Sequence, residues 1–136
     1  MGNGGWYGTQ EEWERIEAPI KSLDVDLDEF AAKHQLSLTR NLKDWPGRSM
    51  GWGNDVRCLI QVYLDDAKTL GLNLWICASQ DRDDKRYWKE EFLRKGAIAG
   101  ELARELPVLL ETAKARLDEW SSRPNCLEFA TKLARN

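Results

Sequence analysis

The spacing of the apolar residues changes near residue 36, and this change limits the folds open to the chain. Upstream, the apolar side chains recur at steps of three and four, which places them on one stripe of a helix: Trp13, Ile16, Ile20, Leu23, Leu27 and Phe30. From Leu36 to Leu42 apolar and polar residues alternate, as in a half-buried strand. The sequence therefore predicts helices followed by a sheet, an α+β protein.

The helical segment carries its own start and break signals. Thr9 and Glu12 form a capping box, in which each side chain satisfies a free backbone amide. Pro19 removes an amide inside the apolar stripe, which predicts a kink or two abutting helices near Ala18. The glycine-rich residues 1–8 precede the cap and are expected to be flexible.

Further strands are predicted at residues 56–64 and 72–79, which a short polar connection joins as an antiparallel hairpin. Residues 86–95 fit two structures. Asp84 as a cap and Gly96 as a stop favour a helix, whereas aromatic density directly after a tight acidic turn favours a fourth strand. The strand is the preferred prediction.

A second helical stripe follows from Ile98 to Trp120, with Pro107 expected to start its second half, and residues 126–134 predict a short terminal helix. The expected architecture is an open antiparallel meander of three or four strands, flanked by an N-terminal helix and C-terminal helices. A single domain is expected over residues 9–136.

Composition narrows the classes of protein. The chain is 42% hydrophobic and 32% charged, as in a folded globular domain. Its longest apolar run, 72–78, is far shorter than the roughly 20 residues that a bilayer span needs. Without a secretory signal, and with an odd number of cysteines among apolar neighbours, we expect a cytoplasmic protein with reduced thiols. The net charge of −3 and pI near 5.3 make nucleic acid an improbable partner.

Signatures of catalysis are sparse. His34 is the single histidine, and it suits the end of a helix better than a catalytic pair. The acidic runs 24–28 and 81–84 lack the glycine and the closing glutamate of a calcium loop. No glycine-rich phosphate-binding motif follows a strand. We therefore expect neither an enzyme nor a metal or other cofactor.

Seven tryptophans in 136 residues point instead to binding. Trp45 and Trp52 flank a Gly/Pro-rich segment, 43–55, which is predicted to be a loop and also holds Arg48. Tryptophan and arginine in such a loop are typical anchors of interfaces, although a loop tryptophan can also cover the core.

The predicted sheet adds a second candidate surface. One face carries alternating apolar residues for the core, and the other carries Arg57, Leu59, Gln61 and Tyr63 beside Asn73, Trp75, Cys77 and Ser79. An aromatic face of this kind marks a partner or ligand surface unless a helix covers it. The candidate binding residues are Trp45, Arg48, Trp52, Arg57, Tyr63, Trp75, Arg82, Tyr87 and Trp88.

The first functional hypothesis is a non-enzymatic module that binds a protein partner or a second copy of itself. The alternative is an anionic-ligand protein or enzyme with a pocket between sheet and helices, in which Arg48, Arg57 and Arg82 clamp the anion and Tyr63 or Tyr87 offers a hydroxyl. The third is single-stranded nucleic-acid binding by residues 82–95, where basic and aromatic residues alternate but nearby acids almost cancel the charge.

Overall fold

One antiparallel sheet is packed on one face by two helices that precede it and one helix that follows its long strands. The computed structural model describes residues 8–42, 45–123 and 127–129. Helices α1 (Gln10–Lys21) and α2 (Asp24–His34) come first, and helix α3 (Ala99–Ser122) follows the long strands. The strands are β1 (Ser37–Leu42), β2 (Trp45–Trp52), β3 (Arg57–Asp66), β4 (Gly71–Arg82), β5 (Lys85–Ala97) and the two-residue β6 (Glu128–Phe129). They pair in chain order, all antiparallel, which confirms the α+β class and the open meander with more strands than predicted.

Helix α1 begins where the sequence predicts, but the break that ends it lies further along the chain than predicted. Thr9 Oγ1 accepts a hydrogen bond of 3.0 Å from the amide of Glu12, as the capping box predicts. Two abutting helices form, but the break lies at residues 22–23 rather than near Ala18. Pro19 sits inside α1 and costs one backbone bond, and Ser22 Oγ then donates to the Pro19 carbonyl at 2.6 Å where the helix ends.

Residues 45–52 form strand β2, so the prediction of a loop over 43–55 was wrong for this stretch. Gly47, Ser49 and Gly51 alternate with residues that point to the core, and Ser49 pairs with Thr39 on one side and Gln61 on the other. The glycines thus mark small outward positions of a strand. The turn itself comes later, at Gly53, where φ is 98°. Lys43 and Asp44 lie outside the described residues.

The core lies between the sheet and the helices. Alternate residues of β3 and β4 are fully buried against the apolar stripes of α1 and α3: Cys58, Ile60, Val62, Leu64, Leu72, Leu74, Ile76 and Ala78. Helix α3 runs unbroken through Pro107, contrary to the expected start of a second half, because the apolar stripe from Leu102 to Trp120 packs on the sheet along its whole length. The helices therefore cover one face of the sheet.

A polar clasp closes the end of the sheet where β3, β4 and β5 meet. Asn73 was predicted on the outward face, yet its side chain is only 2% exposed. Its Nδ2 donates to Asp65 Oδ1 at 3.0 Å, and its Oδ1 accepts from the amide of Gly96 at 2.8 Å. A Cβ on Gly71 would lie 3.1 Å from the Gly96 Cα, so the backbones approach closely here. Gly96, proposed above as a possible helix stop, instead helps to anchor β5, and the predicted fourth strand is confirmed.

The end of the described chain also differs from the prediction. Glu128 and Phe129 pair with Trp88 and Tyr87 at the edge of β5, so a helix over 126–134 was wrong at these positions. The sheet edge offers unpaired backbone groups, and pairing with them satisfies the chain better than a short isolated helix does. The other residues of that prediction, and the first seven residues of the expected flexible segment, lie outside the described ranges. None of the helices described is long and apolar enough to span a bilayer.

Candidate functional site

The face of the sheet that points away from the helices is the candidate site, and we call it the open face. Its register is set by the pairs Leu59 with Cys77 and Gln61 with Trp75. Strands β3, β4 and β5 supply its larger side chains: Arg57, Leu59, Gln61, Tyr63, Trp75, Cys77, Ser79, Asp81, Arg86, Trp88, Glu90 and Phe92. Each of these is partly or largely exposed, and Phe92 reaches 42%. Strands β1 and β2 add only small side chains: Ser37, Thr39, Gly47, Ser49 and Gly51.

Two indole rings border a slot on this face. Trp88 pairs with Ser79, and Trp75 lies four residues further back along β4, so Cys77 sits between the two rings. The slot has a volume of about 370 Å³ and is lined by Leu59, Trp75, Cys77, Ser79, Arg86, Trp88 and Glu90. The indole Nε1 of Trp75 donates to Glu90 Oε1 at 2.8 Å, which holds this ring in place. The result is an apolar slot with polar atoms at its rim.

A more polar depression of about 470 Å³ adjoins the slot. It shares Leu59, Cys77, Ser79 and Arg86 with the slot and adds Gly51, Trp52, Gly53, Arg57 and Cys58. Arg86 Nε donates to Asp81 Oδ1 at 3.1 Å, so its charge is partly neutralised. Arg57 is exposed and has no ion pair or hydrogen bond from its side chain to any residue that the structure describes. The slot and the depression together form one groove. Its aromatic end lies at the slot, and its cationic end lies at Arg57 and Arg86.

Cys77 forms the floor between these two ends. Burial raises the pKa of the Cys77 thiol to about 11, and the neighbouring Glu90 carboxylate adds to this effect. The thiol is therefore protonated at neutral pH and contributes apolar surface rather than a nucleophile.

The structure brings four of the predicted site residues together on the open face: Arg57, Tyr63, Trp75 and Trp88. Tyr63 lies at the far end of β3, between Gly47 and Asn73. Of the other five, Trp52 also lines the polar depression, and the remaining four lie elsewhere.

Arg48 lies in the core, contrary to the prediction that it anchors an interface. Predicted as an exposed anchor, it is 1% exposed and points into the core between β2 and the helices. Its guanidinium binds Asp24 at 2.7 Å through Nε and Glu17 at 3.3 Å through Nη2. Burial opposes the charge, but these contacts outweigh it, and the pKa of Arg48 is raised. Arg48 therefore stabilises the fold and is closed to a ligand.

Trp45 and Trp52 also serve the fold. Each is partly buried against the core. This arrangement matches the alternative given above, in which a tryptophan covers the core instead of anchoring an interface. The indole N–H of Trp45 donates to the Leu64 carbonyl on β3, and the Lys114 ammonium lies 5.3 Å from the centre of the Trp52 ring. Trp52 also lines the polar depression.

Tyr87 and Arg82 contact each other on the helix side of the β4–β5 hairpin. The Arg82 guanidinium lies 3.9 Å above the Tyr87 ring, and Tyr87 packs partly against the core. The anion clamp expected from Arg48, Arg57 and Arg82 is therefore not assembled, since Arg57 lies on the opposite face of the sheet from the other two.

The basic segment 82–95 does not form a continuous cationic strip. Its side chains divide between the two faces, and several have protein partners: Arg86 binds Asp81, Arg94 binds Glu105 at 2.8 Å, and Lys89 lies 5.2 Å from the Trp120 ring. This arrangement lends no support to nucleic-acid binding.

Sequence reasoning missed Arg86, Glu90 and Phe92 as members of the site. The signal was present, because these residues share the two-residue period of Trp88, but the choice between strand and helix for this segment left that period unused. Gly51 was also missed, since its glycine suggested a turn.

In the part of the chain that the structure describes, carboxylates and thiols do not gather into a metal site. Within residues 8–42, 45–123 and 127–129, no group of three His, Cys, Asp or Glu side chains is placed to hold a metal ion. Comparison with known proteins yielded no matching family model, no matching curated protein and no matching solved structure.

Proposed function

We propose that this protein is a non-enzymatic binding module whose open face docks a protein partner. The observation that carries the proposal is the position of Trp75, Trp88 and Phe92 on a sheet face that no described helix covers. Large aromatic side chains with polar atoms at the rim are typical of the centre of protein interfaces.

The shape of the face supports the same role. The slot and the polar depression share four lining residues and together span β3, β4 and β5, and the small residues of β2 lie beside them. A partner backbone or helix can approach such a surface closely. The cytoplasm is the proposed location, and it suits the free thiols of Cys58 and Cys77.

Photo-cross-linking from inside the face tests this function. Benzoylphenylalanine replaces Gln61, which lies between Ser49 and Trp75 on the open face, and in a second protein it replaces Glu101 on α3. We expect a protein adduct of defined mass from position 61 and none of that mass from position 101 in the same cell extract.

A face variant supplies the control. The double substitution Trp75→Ser and Trp88→Ser removes the two indole rings that border the slot and should abolish the adduct at position 61. An adduct that survives this substitution, or that forms equally from position 101, would contradict the proposal. Circular dichroism and thermal unfolding establish that the variant remains folded.

The depression of about 470 Å³ around Arg57 and Arg86 favours a second candidate, a small anionic ligand on the open face rather than beneath the sheet. Thermal-shift measurements with phosphorylated and carboxylated metabolites test it. A rise in Tm that Arg57→Gln removes would support this candidate, and unchanged Tm values across the panel would contradict it.

A further inference from the structure

We infer that the partner of the open face is an extended protein segment with an acidic residue two positions from a large apolar residue. This inference rests on the proposed binding function and adds the chemistry of the partner. It draws on the charges of the groove and on the spacing of its two ends.

Arg57 forms the cationic end of the groove. Arg57 has no ion pair or hydrogen bond from its side chain within the described chain. Docking an apolar partner over it would remove water from an uncompensated charge, which is costly. A carboxylate on the partner removes that cost and forms a charge-assisted hydrogen bond.

The carboxylates of the open face favour a different protein over a second copy of this chain as the partner. Two strand carboxylates of the open face are already engaged, because Asp81 binds Arg86 at 3.1 Å and Glu90 accepts from the Trp75 indole at 2.8 Å. A second copy that docks face to face must therefore give up one of these contacts to bring either carboxylate to Arg57. A partner segment with its own aspartate or glutamate gives up neither.

The distance between the two ends of the groove fits an extended segment. The centre of the aromatic slot lies at Cys77, and Arg57 pairs with Ser79, two residues along the same strand. Two residues of strand span about 7 Å, which is also the spacing of same-side residues in an extended peptide. An apolar side chain in the slot thus places an acidic side chain two positions away beside Arg57.

A display selection tests this chemistry directly. Random linear dodecapeptides on phage are selected in parallel on immobilised wild-type protein, on Arg57→Glu and on the charge control Arg104→Glu. Arg104 is exposed on α3, away from the open face. We expect wild type and Arg104→Glu to enrich peptides with an acidic residue two positions from a large apolar one, and Arg57→Glu to lose that enrichment.

Binding constants of the selected peptides give the magnitude. Arg57→Glu should weaken their binding by about 10- to 100-fold, the effect of losing one charge-assisted contact. Replacing the acidic residue of the peptide by its amide should weaken wild-type binding similarly, whereas it should strengthen binding to Arg57→Glu, because it removes the repulsion between two carboxylates.

The outcomes separate this inference from the function beneath it. Peptides that lack acidic residues, bind wild type and Arg57→Glu alike, and require Trp75 and Trp88 would overturn the inference while leaving the binding function intact. Peptides that bind wild type and the Trp75→Ser/Trp88→Ser variant equally would overturn both. A dimer in light scattering that this variant dissociates would identify a second copy as the occupant and overturn the acidic-segment partner.

Discussion

Arg48 on β2 and Asp24 at the start of α2 hold each other through two parallel contacts, with Nε 2.7 Å from Oδ1 and Nη2 3.2 Å from Oδ2. Asp24 also accepts from Arg40 on β1 at 3.0 Å. Glu17, which binds Arg48 through one oxygen, accepts from the Trp13 indole at 3.2 Å through the other. A chain of charged groups thus joins both N-terminal helices to the first two strands.

Removing Arg48 should destabilise the protein severely. Arg48→Ala leaves the carboxylates of Asp24 and Glu17 without their main cation, and the loss of one partner from a buried ion pair costs about 3–5 kcal/mol. Chemical denaturation measures the free energy of unfolding. Arg104→Ala, an exposed control, should change it by less than about 0.5 kcal/mol. A loss below about 1 kcal/mol for Arg48→Ala would refute the structural role.

Tryptophans on the two sides of the sheet should respond differently to truncation. Trp120→Ala removes a side chain that is 7% exposed and packs in the core, and it should cost about 3–5 kcal/mol. Trp88→Ala acts on the open face and should cost about 1 kcal/mol or less. Equal losses in denaturant unfolding would show that the open face is buried by another part of the chain.

Glycine substitutions test two backbone positions of opposite character. A Cβ on Gly53 would lie 2.1 Å from the Val56 carbonyl oxygen at φ 98°, so Gly53→Ala should cost at least about 2 kcal/mol. Gly100 lies near the start of α3 with open space around it, and Gly100→Ala should stabilise the protein by about 0.5–1 kcal/mol. Thermal unfolding of both variants checks the sign of each effect, and a stabilised Gly53→Ala would contradict the turn geometry.

Cys77 should react slowly with alkylating agents. With a pKa of about 11, only about one thiol in a thousand is ionised at pH 8, and the rate should rise with pH towards 11. Glu90→Gln removes the neighbouring charge but keeps an oxygen for the Trp75 indole, and it should raise the rate at pH 8 by roughly threefold. Peptide-resolved mass spectrometry after iodoacetamide treatment separates Cys77 from the other cysteines. Fast alkylation of the wild type at pH 8 would show that the thiol is not protected.

The Cys77 thiol should also make the free energy of unfolding depend on pH, in a direction that its pKa determines. Its pKa in the folded protein lies above the ordinary value of 9, so the folded state favours the protonated form. The stability that this preference contributes is complete below pH 9 and is lost as the pH rises towards 11. Cys77→Ser should flatten this part of the profile of unfolding free energy against pH.

The spacing of apolar residues was sufficient to predict the helical stripes and the paired strands β3 and β4. In a strand, a register shift of one residue would turn all the apolar side chains of one face towards solvent, so the pattern allows one register. It failed at β2, where Gly47 and Gly51 resembled turn residues. Their role as small outward residues depends on neighbouring strands that local sequence does not reveal. Two abutting helices were foreseen near Ala18, but the break lies at residues 22–23, where Ser22 Oγ donates to the Pro19 carbonyl.

The candidate site was predicted in part. Trp75, Tyr63 and Arg57 were placed correctly by the alternation along β3 and β4. Arg48 was misplaced because its carboxylate partners, Asp24 and Glu17, are distant in sequence and looked like solvated acids of the first helices. Long-range charge pairing of this kind leaves no local pattern, so composition alone suggested a surface anchor.

The chain-order pairing of the strands has a kinetic consequence. Each long strand from β2 to β5 bonds to the one just before it, so most of the sheet can assemble by closing short loops, at little entropic cost. Refolding should therefore occur on the timescale of mixed helix and sheet domains with mainly local contacts, faster than a sandwich of similar size built from distant strands.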